Sequence, residues 1–149
     1  MTRRYLPIML DVTNCKILLV GGGMVALQKI KVLQQFTNDI TVIAADTSQL
    51  VRSTGVCCIE KEYQELDLHG YDLIYACTND RELNRGIARD GAMAHKLVNV
   101  VDDAYLSDFI SPAVFKRDEM IVAVSSSGTA VRQAIAWRDK IAGWLADER

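Results

Sequence analysis

The sequence is poor in the residues that interrupt folded chains: it has two prolines and nine glycines among 149 residues, and no stretch is rich in both. That composition excludes a long disordered linker or a low-complexity tail. Charge of one sign is also missing. Seventeen basic residues face nineteen acidic ones, for a formal net charge of −2, so no bulk attraction to nucleic acid or to an anionic membrane is expected. Nowhere do the roughly 18 uncharged apolar residues of a membrane-spanning helix run together. The basic start Met1-Thr2-Arg3-Arg4-Tyr5 leads into an apolar run that stops at Asp11, too short for the core of a signal peptide. The expected location is therefore the cytoplasm. The four cysteines, Cys15, Cys57, Cys58 and Cys77, show no Cys-x-x-Cys spacing, and adjacent Cys57 and Cys58 would alternate to opposite faces of a strand. They are expected as reduced thiols, mostly buried in or beside strands.

What is present is the material for one core. Half of the residues are hydrophobic, enough for a single globular unit with a small appendage. After Asp11-Val12-Thr13-Asn14, the continuous run Ile17-Leu18-Leu19-Val20 reads as a strand buried on both faces, cut off by Gly21-Gly22-Gly23. Val25, Ala26, Leu27, Ile30, Leu33 and Phe36 then recur at helical spacing, with Gln28, Lys29, Lys31, Gln34 and Gln35 between them. Ile40 to Ala44 reads as the next strand, so the segment is a strand-helix-strand unit with parallel strands and a right-handed crossover. A short helix near Ser48 and strands over Val56–Lys61, Tyr71–Cys77 and Leu97–Val101 continue the alternation. Between the last two strands, Leu83, Ile87, Ala88 and Met93 mark a helix, and Asn79 with Glu82 fits a capping box. The predicted fold class is α/β, a Rossmann-like doubly wound parallel sheet over residues 1–110.

From Ser111 the pattern changes. Ala113-Val114-Phe115, the charged turn Lys116-Arg117-Asp118-Glu119, and Met120 to Val124 read as a β-hairpin. A final helix carries Val131, Ala134, Ile135, Ile141, Ala142 and Leu145 on one face, a stripe that must be covered. Residues 111–149 are accordingly expected to be a dimerisation arm, with packing back onto the same chain as the alternative.

Chemistry is suggested at the strand ends. Gly21-Gly22-Gly23-Met24-Val25-Ala26 matches G-x-G-x-x-G/A between a strand and a helix. The first glycine permits the turn, Gly23 lets a pyrophosphate approach the backbone, and Ala26 allows close helix packing. The amides of Met24 and Val25 would face the negative charge. Asp46, twenty residues past Ala26, can accept hydrogen bonds from a ribose and repel a 2′-phosphate, which favours NAD over NADP; its alternative role is to cap the next helix. Thr78 and Asn79 stand at the carboxyl edge of the sheet, to contact the cofactor or to cap the following helix. Asp102 and Asp103 reach the same edge, where a carboxylate can take a proton while a hydride leaves; otherwise they are solvated turn residues. His69 and His95 lack partners at ligand spacing, so no metal site is expected, and the serines form no hydrolase elbow.

The chain resembles the precorrin-2 dehydrogenase family, the NAD-dependent module of siroheme synthases, some members of which also insert iron into sirohydrochlorin. The likeness covers nearly the whole chain. It rests on Pro7-Ile8-Met9-Leu10-Asp11, Val20-Gly21-Gly22-Gly23-Met24-Val25-Ala26 and Ala76-Cys77-Thr78-Asn79-Asp80-Arg81-Glu82-Leu83-Asn84. It continues through Val98-Asn99-Val100-Val101-Asp102-Asp103, Asp108-Phe109-Ile110-Ser111-Pro112-Ala113 and Ile121-Val122-Ala123-Val124-Ser125-Ser126-Ser127-Gly128. The resemblance implies oxidation of precorrin-2 to sirohydrochlorin with NAD accepting a hydride. It implies that Met24, Val25, Ala45 and Asp46 line the cofactor, that Asp102 is the general base, and that Asn99 and Ser126 face the tetrapyrrole. It also implies a homodimer with an exchanged C-terminal arm. Lys116, Arg117, Arg132 and Arg138 are candidates to hold the substrate's carboxylates. Two other classes compete with the enzyme: a non-catalytic NAD(H)-sensing or tetrapyrrole-binding dimer, and a structural dimer with an empty nucleotide domain.

Overall fold

The computed structural model describes residues 3–147; residues 1–2 and 148–149, the outer ends of the two expected segments, lie outside it. Two compact units result, Pro7–Phe109 and the described part of Met1–Leu6 with Ile110–Arg149.

In the first unit the wholly apolar run becomes β1 (Ile17–Gly22), every residue of which is buried. It lies at the centre of a five-stranded sheet in the order β3-β2-β1-β4-β5, with β2 (Ile40–Thr47), β3 (Cys57–Glu60), β4 (Leu73–Ala76) and β5 (Leu97–Val100). All pairings are parallel. Alternation along β1 and β4 then divides the core by sheet face. Ile17, Leu19, Leu73 and Tyr75 pack with Ala26, Leu27 and Ile30 of α1 (Met24–Leu33) and Val51 of α2 (Gln49–Arg52). Leu18, Val20, Ile74 and Ala76 pack with Ile87 of α3 (Arg81–Met93) and with Leu68 of a short 3-10 turn, Glu65–Leu68. Helices on both faces of a parallel sheet make this a doubly wound, Rossmann-like domain. The chain winds outward from β1 in opposite directions through β2 and β4, so the carboxyl ends of β1 and β4 flank the switch point where such sheets bind ligands.

Several local readings are corrected. Strand β2 runs on to Thr47, because Gly22 pairs with Thr47 after a register slip beyond Val20; Asp46 therefore lies within the strand. The cap of α3 is Asp80, whose carboxylate accepts from the amides of Glu82 and Leu83, and not Asn79. A shift of one residue suffices, since the chain leaves β4 at Ala76 and needs Thr78 for a different bond, described below. Of the cysteines, all free, Cys15 and Cys77 are buried, Cys58 is half-buried and Cys57 is exposed, because β3 is an edge strand.

In the second unit, β6 (Ala113–Arg117) and β7 (Met120–Val124) form the antiparallel hairpin. Lys116 and Arg117 belong to β6 rather than to the turn. The reversal takes only Asp118 and Glu119, with Asp118 at a positive φ of 51° that suits a two-residue hairpin loop. Helix α4 (Val131–Asp147) packs on this hairpin, with Arg138 donating to the carbonyl of Val114 and Arg117 to that of Leu145. No helix among the described residues is long and apolar enough to cross a membrane.

Candidate functional site

The glycine turn joins β1 to α1 at the switch point, and its three glycines have different reasons to be there. Gly21 has φ 119°, and a Cβ on it would stand 2.6 Å from the carbonyl oxygen of Cys77. A Cβ on Gly22 would stand 2.7 Å from the carbonyl oxygen of Asp46. These two let β1 run between β2 and β4 at the sheet edge. Gly23 is different: a Cβ there would meet nothing within 4 Å. It is the N-cap of α1 and supplies no side-chain cap, so the first-turn amides at Met24 and Val25 remain available to an anion. Open space over a bare helix N-terminus, beside a strand end, fits the diphosphate of a dinucleotide. Ala45 and Asp46 are exposed at the end of β2 on one side of this turn. Ser48, not Asp46, caps α2, its hydroxyl accepting from Val51, so the Asp46 carboxylate has no capping duty.

On the other side, beyond β4, lies a cavity of about 250 Å³ lined by Val25, Cys77, Thr78, Asn79, Asp102 and their neighbours. Its wall is built by one side chain. Asn84, buried on α3, accepts from both the amide and the hydroxyl of Thr78 (3.2 and 2.7 Å) and donates back to the Thr78 carbonyl at 3.0 Å. Thr78 is thereby held at the end of β4, and its hydroxyl also accepts from the Asp80 amide. The opposite wall is the loop after β5. Ser107 accepts from the amide of Val100, and Asp108 accepts from that of Val98. Two side chains thus satisfy the open edge of β5.

The loop separates the two neighbouring carboxylates. Asp103 is consumed by its own turn, accepting from the amides of Tyr105 and Leu106. Asp102 stands in the left-handed region, φ 68°, exposed at the cavity with no hydrogen bond or ion pair among the described residues. Asn99, one strand position from Val100, is buried; its Nδ2 donates to the carbonyl of Phe109 at 2.9 Å, while its Oδ1 has no partner among the described residues. Cys77 is buried beneath the cavity, and burial pushes its thiol up to about 12, so it is neutral near pH 7.

The remaining sequence candidates belong to the second unit. Ser126 accepts from the Ala130 amide and its carbonyl accepts from Thr129, which shapes the turn into α4. Arg138 is tied to Asp139 and to the Val114 carbonyl, and Arg117 to the Leu145 carbonyl. Lys116 and Arg132 are exposed. Asn84 and Lys29 were not singled out by sequence. Lys29 falls three residues after Ala26 and four before Leu33, but as a lysine among the polar residues of the helix it reads as solvent-facing, so its half-buried place is not legible from sequence. No group of three or more His, Cys, Asp or Glu among the described residues is placed to hold a metal ion.

Known proteins resemble this chain along most of its length. An NAD(P)-binding family model matches residues 8–113. The siroheme synthase of Pseudomonas fluorescens (strain Pf0-1) is 37% identical over 146 residues, 95% of this chain and 32% of that protein. The siroheme synthase of Azotobacter vinelandii is 37% identical over 145 residues, 95% of this chain and 31% of that protein. Among solved structures, SirC, a precorrin-2 dehydrogenase, superposes with a TM-score of 0.80 at 26% identity, covering 93% of this chain and 70% of that one. The chain spans about a third of the length of the curated relatives it matches.

Proposed function

Because the chain belongs to the NAD(P)-binding family whose model spans residues 8–113, we propose that it is a dehydrogenase acting with NAD on precorrin-2, which it oxidises to sirohydrochlorin. The observation that carries this reading is the unpaired Asp102 carboxylate facing the cavity beside the glycine turn. The amides of Met24 and Val25, opened by Gly21 and Gly23, bind the diphosphate. Asp46 receives the adenosine ribose and disfavours a 2′-phosphate; Ala45 lines the same end, and Thr78 and Asn79 line the other. When bound, the nicotinamide supplies the hydride acceptor. Asp102 takes the proton that leaves the substrate as its hydride departs, so two hydrogens and two electrons leave the tetrapyrrole and the carboxylate ends protonated. The similarity to a precorrin-2 dehydrogenase and to siroheme synthases supports the substrate assignment. Four free thiols, one of them exposed, support a reducing cytoplasmic setting.

Residues 111–149 act in this reading as a dimerisation arm. Val131, Ile135, Trp137 and Trp144 of α4 and Met120 of β7 are 41–75% exposed, an apolar load that a second copy of the arm would cover; sedimentation of the full chain as a dimer tests this. Asn99 is the candidate of the first unit for the tetrapyrrole, and Ser126, Lys116, Arg117, Arg132 and Arg138 are those of the arm, each unit taken by itself; Arg117 and Arg138 are already engaged with backbone carbonyls, which leaves Lys116 and Arg132 as the freer cations for its carboxylates.

The test is an anaerobic assay of the full chain with precorrin-2 and NAD, following NADH and the tetrapyrrole spectrum together. Asp102→Asn should lower turnover by about a hundredfold or more while NADH binding is unchanged. The fold should survive, since asparagine tolerates the left-handed conformation at this position. Turnover insensitive to this change removes Asp102 as the base. No turnover by wild-type protein that still binds NADH favours the non-catalytic sensing module instead. Ferrous iron added to the product then tests chelation, the further activity that siroheme synthases suggest for the same carboxylate.

A further inference from the structure

Lys29, on α1 one turn after the cavity-lining Val25, is a half-buried cation that engages no anion directly among the described residues. Its side chain leaves α1 on the flank of the buried stripe Ala26–Ile30 and carries the ammonium to 5.8 Å from the centroid of the Tyr75 ring. That ring is itself buried on β4 and fixed edge-to-face against Phe109, centroids 5.5 Å apart. Lys29 makes no hydrogen bond or ion pair among the described residues. A lysine on a helix surface normally reaches water, and half-burying one over a ring with no anion beside it is a cost that folding alone does not explain. Burial lowers its pKa, and the titratable groups whose fields oppose that effect are Cys77 and Asp102, both on the cavity wall. Since the Cys77 thiol is neutral, Asp102 is the anion whose field reaches Lys29, which stands one helical turn from the cavity-lining Val25 on α1.

The oxidation proposed above changes charge in two places at once. A hydride turns the cationic ring of the bound cofactor into a neutral one, and a proton turns the Asp102 carboxylate into a neutral acid. The Asp102 carboxylate lies within the field of the Lys29 ammonium, and a ring bound in the cavity beside Asp102 would lie within it as well. An unpaired ammonium repels a cationic ring and is indifferent to a neutral one. We propose that Lys29 is a positioning residue whose fixed charge behind the cavity weights cofactor binding toward the reduced form and so favours hydride acceptance. This inference rests on the reading of the cavity as the redox site.

The test compares the binding of NAD+ and NADH to the full chain, without substrate, by calorimetry and by NADH fluorescence. The two ligands have nearly the same shape, so steric effects of a substitution cancel in the ratio Kd(NAD+)/Kd(NADH). Lys29→Met keeps the aliphatic stem and removes the charge, and the ratio should fall by about fivefold. Lys29→Arg keeps the charge and should keep the ratio. Thermal melting of Lys29→Met should match or exceed wild type, because no ion pair is lost. A ratio that stays within about twofold of wild type in Lys29→Met, or that falls equally in Lys29→Arg, overturns the role of the charge while leaving the dehydrogenase reading intact. Failure of wild-type protein to bind either form overturns both.

Discussion

Replacing Gly21 with alanine should cost fold stability, whereas the same change at Gly23, two residues on, should cost only cofactor affinity. At Gly21 the added methyl would lie 2.6 Å from the oxygen and 2.7 Å from the carbon of the Cys77 carbonyl. Both are backbone atoms of a strand end that is already hydrogen-bonded to β1, through the Cys77 amide and the Val20 carbonyl at 2.8 Å. The clash can be relieved only by parting β1 from β4, which costs about 1–3 kcal/mol as overpacking. Holding alanine at φ 119° adds about 1–3 kcal/mol, for a total of about 4 kcal/mol. In a chain of this size that corresponds to a fall in Tm of roughly 12–16 °C. At Gly23 the backbone is extended at φ −95°, ψ −161°, and the methyl meets nothing within 4 Å, so stability should stay within about 1 kcal/mol of wild type. That methyl nevertheless occupies the approach to the first-turn amides of α1, and the Kd for NADH should rise about tenfold or more. Circular-dichroism melts and NADH fluorescence titrations of both variants read the two effects separately. A Gly23→Ala protein that binds NADH as tightly as wild type, or a Gly21→Ala protein that melts with wild type, would refute this division of labour.

The position of the α3 cap is checked by urea unfolding: Asp80→Ala should lose about 1 kcal/mol, while Asn79→Ala, one residue earlier, should stay within about 0.5 kcal/mol. Alkaline stability should report on Cys77. Its thiol ionises near 9.0 when exposed and is pushed up to about 12 in the fold, so above pH 9 the unfolded chain loses its proton first. Stability from this group is complete below that pH and declines, by at most about 1.4 kcal/mol per pH unit, as pH rises toward 12. Cys77→Ala should flatten the decline, measured as urea midpoints between about pH 9 and 10, before Tyr63 contributes; Tyr63, raised by burial and its bond to Asp90, acts in the same direction only above its ordinary value of 10.0.

The architecture was legible in the sequence because its signals are local and repeated. The unbroken apolar run Ile17–Val20 could only be a strand covered on both faces, and Gly21-Gly22-Gly23 followed by a helical stripe could only turn it into a crossover. The alternation of strands and helices then left one plausible layering, and the strand ends brought Gly23, Asp46, Thr78 and Asp102 to one sheet edge. Tertiary structure decided what depends on atoms distant in sequence. Asp102 and Asp103 are indistinguishable as a sequence pair; only the return of the loop over Ser107 and Asp108 commits Asp103 to its turn and leaves Asp102 to the cavity. Asn84 reads as an ordinary helix residue until α3 packs and its amide closes on Thr78. Lys29 reads as a solvent-facing lysine until β4 brings the Tyr75 ring beneath it. Periodicity fixes which way a side chain leaves its own helix or strand, but its burial, its partners and its electrostatic surroundings come from neighbours that only the completed sheet assembles.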